Sequence, residues 1–298
     1  MSKYNLGIDI GGTYIKYALV DKDYNIKEKW KVKTIKFDTK DEFYDYICAQ
    51  IKNIDEIDRI GVSAPGLISE ESEVKSFAAP NVKIMYGTNI NYEISKRTNK
   101  KTASINDAKS AGLCEFKIGN AQNTKLSAFL IIGTGTGGCL CNEKGVLYGK
   151  DAFAGEFHNI PFMNFKTNKI DKMGDYASML GLIKTYNEKV SPEEALEYGH
   201  EVCKLYLAGD KIAIEAVDEW ISNMVIELIA ITVLYNPEII CIGGGISEEE
   251  WFITKVKESY RETCIKYFEA DFITTQIEKC KYNNDANILG AIINAEIA

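Results

Sequence analysis

A strand, a glycine-rich turn and a second strand occur in the same order at two places in this sequence. The first copy is LGIDIGGTYIKYALVDKDYNIKEKW at 6–30 and the second is SAFLIIGTGTGGCLCNEKGVLYG at 127–149, and each continues through a polar turn into a third strand. A repeated unit of this kind predicts two similar domains that face each other, each presenting a glycine hairpin to the cleft between them. Two unrelated hairpins are the alternative interpretation.

Strand and helix patterns alternate around these hairpins, which predicts the α/β class. TASIND is predicted as a strand that leads into a helix near Asp107. EIICIGGGIS at 238–247 is predicted as a buried strand that ends in three glycines, with Ser247 and Glu250 capping the helix beyond. Helices are predicted at 41–54, 174–186, 191–207, 212–235 and 286–297, and further strands at 59–66, where the strand ends at Pro65-Gly66, and at 272–278.

Composition limits the classes of partner. With 35 basic and 43 acidic side chains the formal charge is -8, which opposes binding to nucleic acid, and no apolar run in the sequence reaches membrane-spanning length. The eight cysteines lie mostly in apolar runs, where reduced thiols pack well, and with two histidines no zinc cluster has a recognisable spacing. The opening residues do not resemble a secretory signal. We therefore expect a cytoplasmic protein without zinc and without a nucleic-acid or membrane partner.

The first glycine turn has the residues of a phosphate site. Asp9 lies in an apolar strand, where an ionised carboxylate is costly unless a cation such as magnesium, held through water, compensates it. Gly11 and Gly12 allow a close backbone approach to a phosphate, while Thr13 adds a hydroxyl and Lys16 a cation. An ordinary hairpin with a solvated aspartate is the alternative.

The second loop, at 133–138, matches G-x-G-x-x-G, but a dinucleotide site needs a helix directly after the glycines. Here a strand pattern follows, which argues against a Rossmann site. Gly133, Thr134 and Gly135 are instead candidates to hold a polyphosphate together with the first turn. Gly244 and Gly245 fit a loop that passes close to a nucleotide, with a tight strand-to-helix turn as the alternative.

Asn106 and Asp107 lie at a predicted strand-to-helix junction. Asp107 could accept the proton of a sugar hydroxyl that attacks a phosphate, and plain helix capping is the alternative. Glu156 and His158 would share a side of an extended segment and could hold sugar hydroxyls. His200, inside a predicted helix, is interpreted as a packed structural residue.

Taken together, these segments resemble the ROK family of bacterial sugar kinases and related repressors, in the actin, hexokinase and heat-shock chaperone superfamily. DIGGTYIK, SAPGLI, APN, NDAKSAG, IGTGTGG, AGEFH, PEIICIGGGIS and NILGAIINA all occur in family order. The resemblance implies an actin-like, ribonuclease H-like ATPase fold, with one domain at 1–116 plus 285–298 and a second, carrying a helical insertion, at 117–284, flanking a cleft. It further implies ATP, Mg²⁺ and commonly a homodimer. The resemblance makes Asp107 the catalytic base, and it implies sugar contacts at Gly66, Asn81, Asn106, Asp107 and Glu156. It implies phosphate contacts at Gly11, Gly12, Thr13, Thr134 and Gly135. Nucleotide contacts are implied near Gly244 and Gly245.

The sequence departs from the family pattern in two places. NKIDKMGDYAS has no cysteine where family members usually carry a zinc motif, and Gly174 occupies the position of a sugar-binding glutamate, for which Asp175 is the candidate substitute. GEFHN replaces the usual G-E-x-G-H, so either His158 or Asn159 faces the sugar. The variant is similar to a branch that includes some N-acetylmannosamine kinases and β-glucoside kinases.

These features predict a kinase that phosphorylates a hexose or N-acetylhexosamine at the C6 hydroxyl. N-acetylmannosamine, in sialic acid catabolism, is the favoured acceptor, with a glucokinase or β-glucoside kinase as the alternative. A non-catalytic sugar-binding protein or a regulator is the alternative from another class. A regulator is expected to need a DNA-binding segment before DIGGT, where eight residues precede Asp9.

Overall fold

The computed structural model describes residues 3–77, 80–165 and 167–298, so Ala79 of the APN segment lies outside the described residues. Contacts divide the chain into two compact units, and among the residues described no helix is both long and apolar enough to cross a membrane. The domain bounds expected from the sequence stay a prediction. The first unit comprises Met1–Gln122, Lys144–Ala154 and Tyr282–Ala298, and the second comprises Asn123–Glu143 and Gly155–Lys281.

A five-stranded sheet forms the centre of the first unit. Its strands are β1 (Tyr4–Ile10), β2 (Tyr14–Val20), β3 (Ile26–Lys33), β4 (Ile57–Ala64) and β5 (Lys101–Asn106), and their order in the sheet is β3-β2-β1-β4-β5. β1 pairs antiparallel with β2 and parallel with β4, and β4 pairs parallel with β5. The helices of this unit are α1 (Lys40–Ala49), α2 (Ile90–Thr98), α3 (Asp107–Ile118) and α9 (Ala286–Ile297). The short strand β8 (Gly145–Val146) also belongs to it.

Helices cover both faces of this sheet, which explains why β1 is buried from Asn5 to Ile10. One face packs its apolar side chains with those of α1 and α2. On the other face α9 lies so close that a Cβ atom at Gly61 would come within 2.1 Å of the Ala291 carbonyl oxygen. The glycine is therefore required there by the close approach of backbone to backbone.

The second unit also contains a sheet and a group of helices. Its strands are β6 (Leu126–Ile132), β7 (Thr136–Asn142), β9 (Pro161–Asn164), β10 (Lys169–Lys172), β11 (Ile239–Gly243) and β12 (Gln276–Lys279), and its helices are α4 (Gly174–Ala177), α5 (Met179–Asn187), α6 (Gly199–Leu207), α7 (Lys211–Tyr235) and α8 (Glu250–Phe268). Within this unit the strand order of the sheet is β12-β11-β6-β7, in which β6 is antiparallel to β7 and parallel to β11. The core packs β6 against the long helix α7 and against α8. A separate hairpin, β9 with β10, was not predicted from the sequence.

The predicted helix at 191–207 is wrong in its first half. Ser191 and Glu194 form the capping box, but the box caps only a short 3₁₀ turn. The backbone is already extended at Ala195. The amide side chain of Asn187 then bonds both the N–H and the carbonyl of Leu196, which occupies groups that a continuing helix would use. α6 consequently begins only at Gly199.

Two other predicted elements also differ. Ser247 does not cap α8, because its hydroxyl donates to the Gly244 carbonyl at 2.7 Å within a 3₁₀ turn. The predicted helix at 174–186 is divided at Ser178, where the backbone is extended and the side chain accepts from the Gly181 N–H to begin α5.

Candidate active site

Three predicted site segments reach the same edge of the first unit's sheet. β1, β4 and β5 are neighbours and run in one direction, so their carboxyl ends meet. Asp9 is paired with Ser63, and Ala64 with Asn106, while Gly66 follows β4 by two residues. This edge is where ligands bind in open α/β sheets.

Hydrogen bonds of its backbone groups hold the turn between β1 and β2 in place. Gly11 donates its N–H to the Tyr14 carbonyl at 3.0 Å. The Gly11 carbonyl accepts from Thr34 Oγ1 at 2.6 Å, and the Gly12 carbonyl accepts from Asn81 Nδ2 at 3.0 Å. Asn81, expected at the sugar, therefore lies beside the glycine turn and supports it.

The carboxylate of Asp9 has a side-chain exposure of 7% and three donors. Ser63 Oγ donates to Oδ1 at 2.9 Å, Asn287 Nδ2 donates to the same oxygen at 3.3 Å, and Lys16 Nζ lies 3.2 Å from Oδ2. Lys16, which the sequence assigned to the phosphates, is therefore also the cation that pairs with Asp9 in this structure. Ser63 and Asn287 were not among the predicted site residues, because no local motif indicates that they meet Asp9.

The junction of β5 with α3 fixes the surroundings of Asn106 and Asp107. Asn106 is the N-cap of α3, since its side chain accepts from the Lys109 N–H at 3.0 Å. Its amide donates to the Gly66 carbonyl at 2.9 Å and to Asp107 Oδ1 at 3.0 Å. The Ala108 N–H also donates to Asp107 Oδ1, at 2.8 Å. Asp107 is thus oriented by its neighbours while it is only partly buried.

The glycine loop of the second unit connects β6 with β7. Gly133, Thr134 and Gly135 are exposed, and the Gly133 N–H donates to the Gly135 carbonyl at 2.8 Å. The Met179 N–H donates to the Gly133 carbonyl at 3.1 Å, and the Leu180 N–H to the Thr134 carbonyl at 3.4 Å. The start of α5 therefore holds this loop through backbone groups.

Glu156 and His158 lie at a 3₁₀ turn, not on an extended segment, so strand alternation does not place them on one side. His158 Nε2 is 3.7 Å from Asp175 Oδ1. The imidazole lies against Gly174, where a Cβ atom would come within 1.9 Å of Nδ1 and 2.7 Å of Thr136 Oγ1. The position therefore has no room for a glutamate side chain while His158 keeps this place.

A pocket of about 660 Å³ opens beside the glycine loop at 133–138, within the second unit. Gly133, Thr134 and Gly245 line one part of it. His200 is exposed and lines it too, so the interpretation of His200 as a packed residue is wrong. Most of the remaining lining is apolar and includes Met179, Leu180, Ile183, Leu207, Ile246 and Trp251.

The pocket residues carry no sequence motif, because apolar side chains at helix starts are common in any core. Gly244 was predicted near a nucleotide, but the fold itself requires a glycine at this position. Its φ is +94°, and a Cβ atom would lie 1.9 Å from the Ile132 carbonyl oxygen. Gly245 has open space at its Cβ position, and it is this residue that lines the pocket.

Comparison with known proteins gives one family. A model described as the ROK family matches residues 5–296. The chain is 31% identical over 296 residues to an uncharacterized protein of Clostridium perfringens, with 96% of both chains covered. It is 27% identical over 310 residues to a glucokinase of Thermotoga maritima, covering 96% of this chain and 95% of that one. It is 25% identical over 269 residues to an N-acetylgalactosamine kinase of Shewanella sp., with 85% of both covered.

A solved structure also matches along the whole chain. It is a ROK family protein from Streptococcus pneumoniae in complex with sucrose, with a TM-score of 0.86 and 25% identity. The match covers 99% of this chain and 98% of that one.

Proposed function

Because the chain belongs to the ROK family and has its actin-like α/β fold, as the sequence predicted, we propose that it is an ATP-dependent sugar kinase. The acceptor is a hexose or an N-acetylhexosamine, phosphorylated at the C6 hydroxyl. The observation that carries the proposal is Asp107, oriented by Asn106 and the Ala108 N–H at the sheet edge to which Asp9 also belongs.

Asp107 is the general base in this proposal. The C6 oxygen attacks the γ-phosphorus and forms the new P–O bond as the bond to the β-phosphate oxygen breaks, the hydroxyl proton passes to the Asp107 carboxylate, and ADP leaves. Asn106 keeps Asp107 Oδ1 in place by its 3.0 Å hydrogen bond. Gly66, Asn81, Asn106 and Glu156 contact the sugar hydroxyls, and His158 and Asp175 are further candidates for that contact.

The apolar pocket of the second unit takes the nucleoside, since it adjoins two glycine segments that can approach phosphates closely. Gly133, Thr134, Gly135, Gly244 and Gly245 are the proposed contacts there. Gly11, Gly12, Thr13 and Lys16 contact phosphates from the first unit.

Asp9 fits a magnesium ion that arrives with ATP. Magnesium keeps several waters and takes one or two protein carboxylates with substrate phosphates. Asp9 offers one carboxylate beside the glycine turn, and no group of three or more His, Cys, Asp or Glu side chains suited to a metal occurs in the described part of the chain. When bound, magnesium neutralises charge on the β- and γ-phosphates.

We favour N-acetylmannosamine as the acceptor, with glucose or a β-glucoside as the alternative. The support is the branch-like pattern around Gly174, where the structure has no room for the glutamate of other members. The relatives named above act, by their names, on glucose and on N-acetylgalactosamine, so their names do not select one sugar for this chain.

The experiment is a coupled assay of ADP release across N-acetylmannosamine, glucose, N-acetylglucosamine, fructose and a β-glucoside. Asp107→Asn is expected to lower kcat by about a hundredfold to ten-thousandfold, the usual contribution of a general base. Sugar binding by calorimetry should remain. The control is Asp55→Asn, an exposed carboxylate of the same unit, which should keep full turnover.

Unchanged turnover in Asp107→Asn would remove its role as base. Sugar binding without ADP release from any sugar would overturn the kinase proposal and favour the non-catalytic sugar-binding protein or regulator.

A cytoplasmic homodimer completes the proposal. Support for self-association comes from α7, where Ile226, Val233 and Leu234 are 45%, 61% and 80% exposed. Their spacing places them along one side of the helix. An exposed apolar stripe of this kind favours a protein contact.

A further inference from the structure

We propose that Asn287, in the first turn of α9, is a positioning residue that orients Asp9 for magnesium and the phosphates of ATP. This role rests on the proposed kinase function. Asn287 belongs to the closing segment NILGAIINA, to which the sequence assigned no chemical role.

Three side chains hold the carboxylate of Asp9. Its two oxygens have different partners: Oδ1 accepts from Ser63 Oγ at 2.9 Å and from Asn287 Nδ2 at 3.3 Å, whereas Oδ2 faces the ammonium of Lys16 at 3.2 Å. Two neutral donors on Oδ1 fix the plane of the carboxylate. Oδ2 is thereby directed to the side where Lys16, 44% exposed, reaches solvent.

Asn287 also contacts the helix that begins at the proposed base, Asp107. The Asn287 carbonyl accepts a hydrogen bond from Ser110 Oγ at 2.6 Å. Ser110 lies in α3, three residues after Asp107. Asn287 therefore contacts Asp9 with its side chain and the helix of Asp107 with its backbone, which joins the metal-binding carboxylate and the base helix through one residue.

The helix that carries Asn287 is closely packed on its neighbours. A Cβ atom at Gly290 would lie 1.8 Å from the Ser110 carbonyl oxygen, and one at Gly7 would lie 2.5 Å from Ile288 Cγ2. α9 thus packs at backbone distance on α3 and β1, and the first turn of α9 has little freedom to move. A side chain placed by such packing can hold a catalytic group in a fixed geometry.

The test compares Asn287→Ala with Asn294→Ala. Asn294 is a matched control, because it is the same residue type on the same helix and its Nδ2 donates at the same 3.3 Å, but to the Ser104 carbonyl. Two measurements are made on the full-length protein: binding of Mg²⁺·ADP by calorimetry, and turnover against free Mg²⁺ at saturating ATP and sugar. Sugar binding without nucleotide and thermal unfolding are recorded for both variants.

We expect Asn287→Ala to weaken Mg²⁺·ADP binding and to raise the Mg²⁺ concentration for half-maximal turnover, each about tenfold, as for loss of a hydrogen bond to a charged group. Sugar affinity should stay within about twofold, and Asn294→Ala should match the wild type in all Mg²⁺ measurements. Should Asn287→Ala not fold, Ser63→Ala removes the other donor to Oδ1 and is expected to give the same change.

Equal Mg²⁺ behaviour of Asn287→Ala and Asn294→Ala would overturn the positioning role while leaving the kinase proposal intact. If Asn287→Ala does not fold, a Ser63→Ala variant whose Mg²⁺ dependence equals that of the wild type would also overturn the positioning role. Absence of both Mg²⁺·ADP binding and turnover in the wild-type protein would overturn the kinase function and this inference with it.

Discussion

Glu227 lies in the middle of α7, fully buried in the apolar core of the second unit. Neither of its carboxylate oxygens has a hydrogen-bond partner among the described residues. Burial raises the pKa of Glu227 from 4.5 to about 8. The carboxyl is therefore protonated in the folded protein at neutral pH and ionised once the chain unfolds.

The cost of this arrangement follows from the two pKa values. Each pKa unit is worth about 1.4 kcal/mol, so holding the group protonated at pH 7 costs about 3 kcal/mol of folding stability. The folded state binds more protons than the unfolded state, so the free energy of unfolding falls as pH rises from 4.5 to about 8. This loss of stability is absent below about pH 4.5, the pKa of the group in the unfolded chain.

Glu227→Met, similar in length but apolar, removes this cost. We expect the variant to be about 3 kcal/mol more stable than the wild type at pH 7, and the difference to grow by about 3.5 kcal/mol between pH 5 and pH 8. The assay is urea unfolding at several pH values, followed by tryptophan fluorescence, to which Trp220 in the same core contributes. Glu215→Met, on the exposed side of the same helix, controls for the loss of one negative charge and should change stability at pH 7 by less than about 0.5 kcal/mol.

A stability difference between Glu227→Met and wild type that does not change from pH 5 to pH 8 would refute the reasoning. A variant that is less stable than wild type at pH 8 would refute it as well, since it would mean that Glu227 has a partner when ionised.

Two further pairs of substitutions test other parts of the structure. Gly244→Ala should lower the free energy of unfolding by about 3 kcal/mol or more, because its positive φ is strained for alanine and its methyl group would strike the Ile132 carbonyl. Gly245→Ala should leave stability within about 1 kcal/mol but raise the KM for ATP, and equal denaturation curves for the two variants would contradict this. Leu234→Arg should shift the mass in light scattering from a dimer to the 33.4 kDa monomer, whereas Ile297→Arg, an exposed change on α9, should not. A wild-type monomer, or a dimeric Leu234→Arg, would argue against the α7 contact.

Local chemistry explains which elements could be predicted. Asn106 and Asp107 follow a buried strand, and an Asn before a helical pattern is a strong N-cap, so the start of α3 was predicted correctly. The helix at 191–207 has an equally good capping box, but the side chain of Asn187 bonds the backbone of Leu196 and stops it. No local rule contains that bond, because Asn187 lies outside the segment that it interrupts.

The candidate site divides in the same way. The glycine turns after β1 and β6 could be predicted because glycine and threonine between two apolar runs are typical of a turn between strands. His200 could not be assigned, since its sequence neighbours indicate only a helix, and the pocket that it lines is formed by α5, α6 and the turn after β11. Sequence alone determined the two glycine turns and the α/β class, because turn preference and strand pattern act over a few residues, and the order of its motifs gave the resemblance to the family. Tertiary structure alone decided that Asn287 and Ser63 meet Asp9 and that Glu227 is buried, since these depend on how distant segments pack.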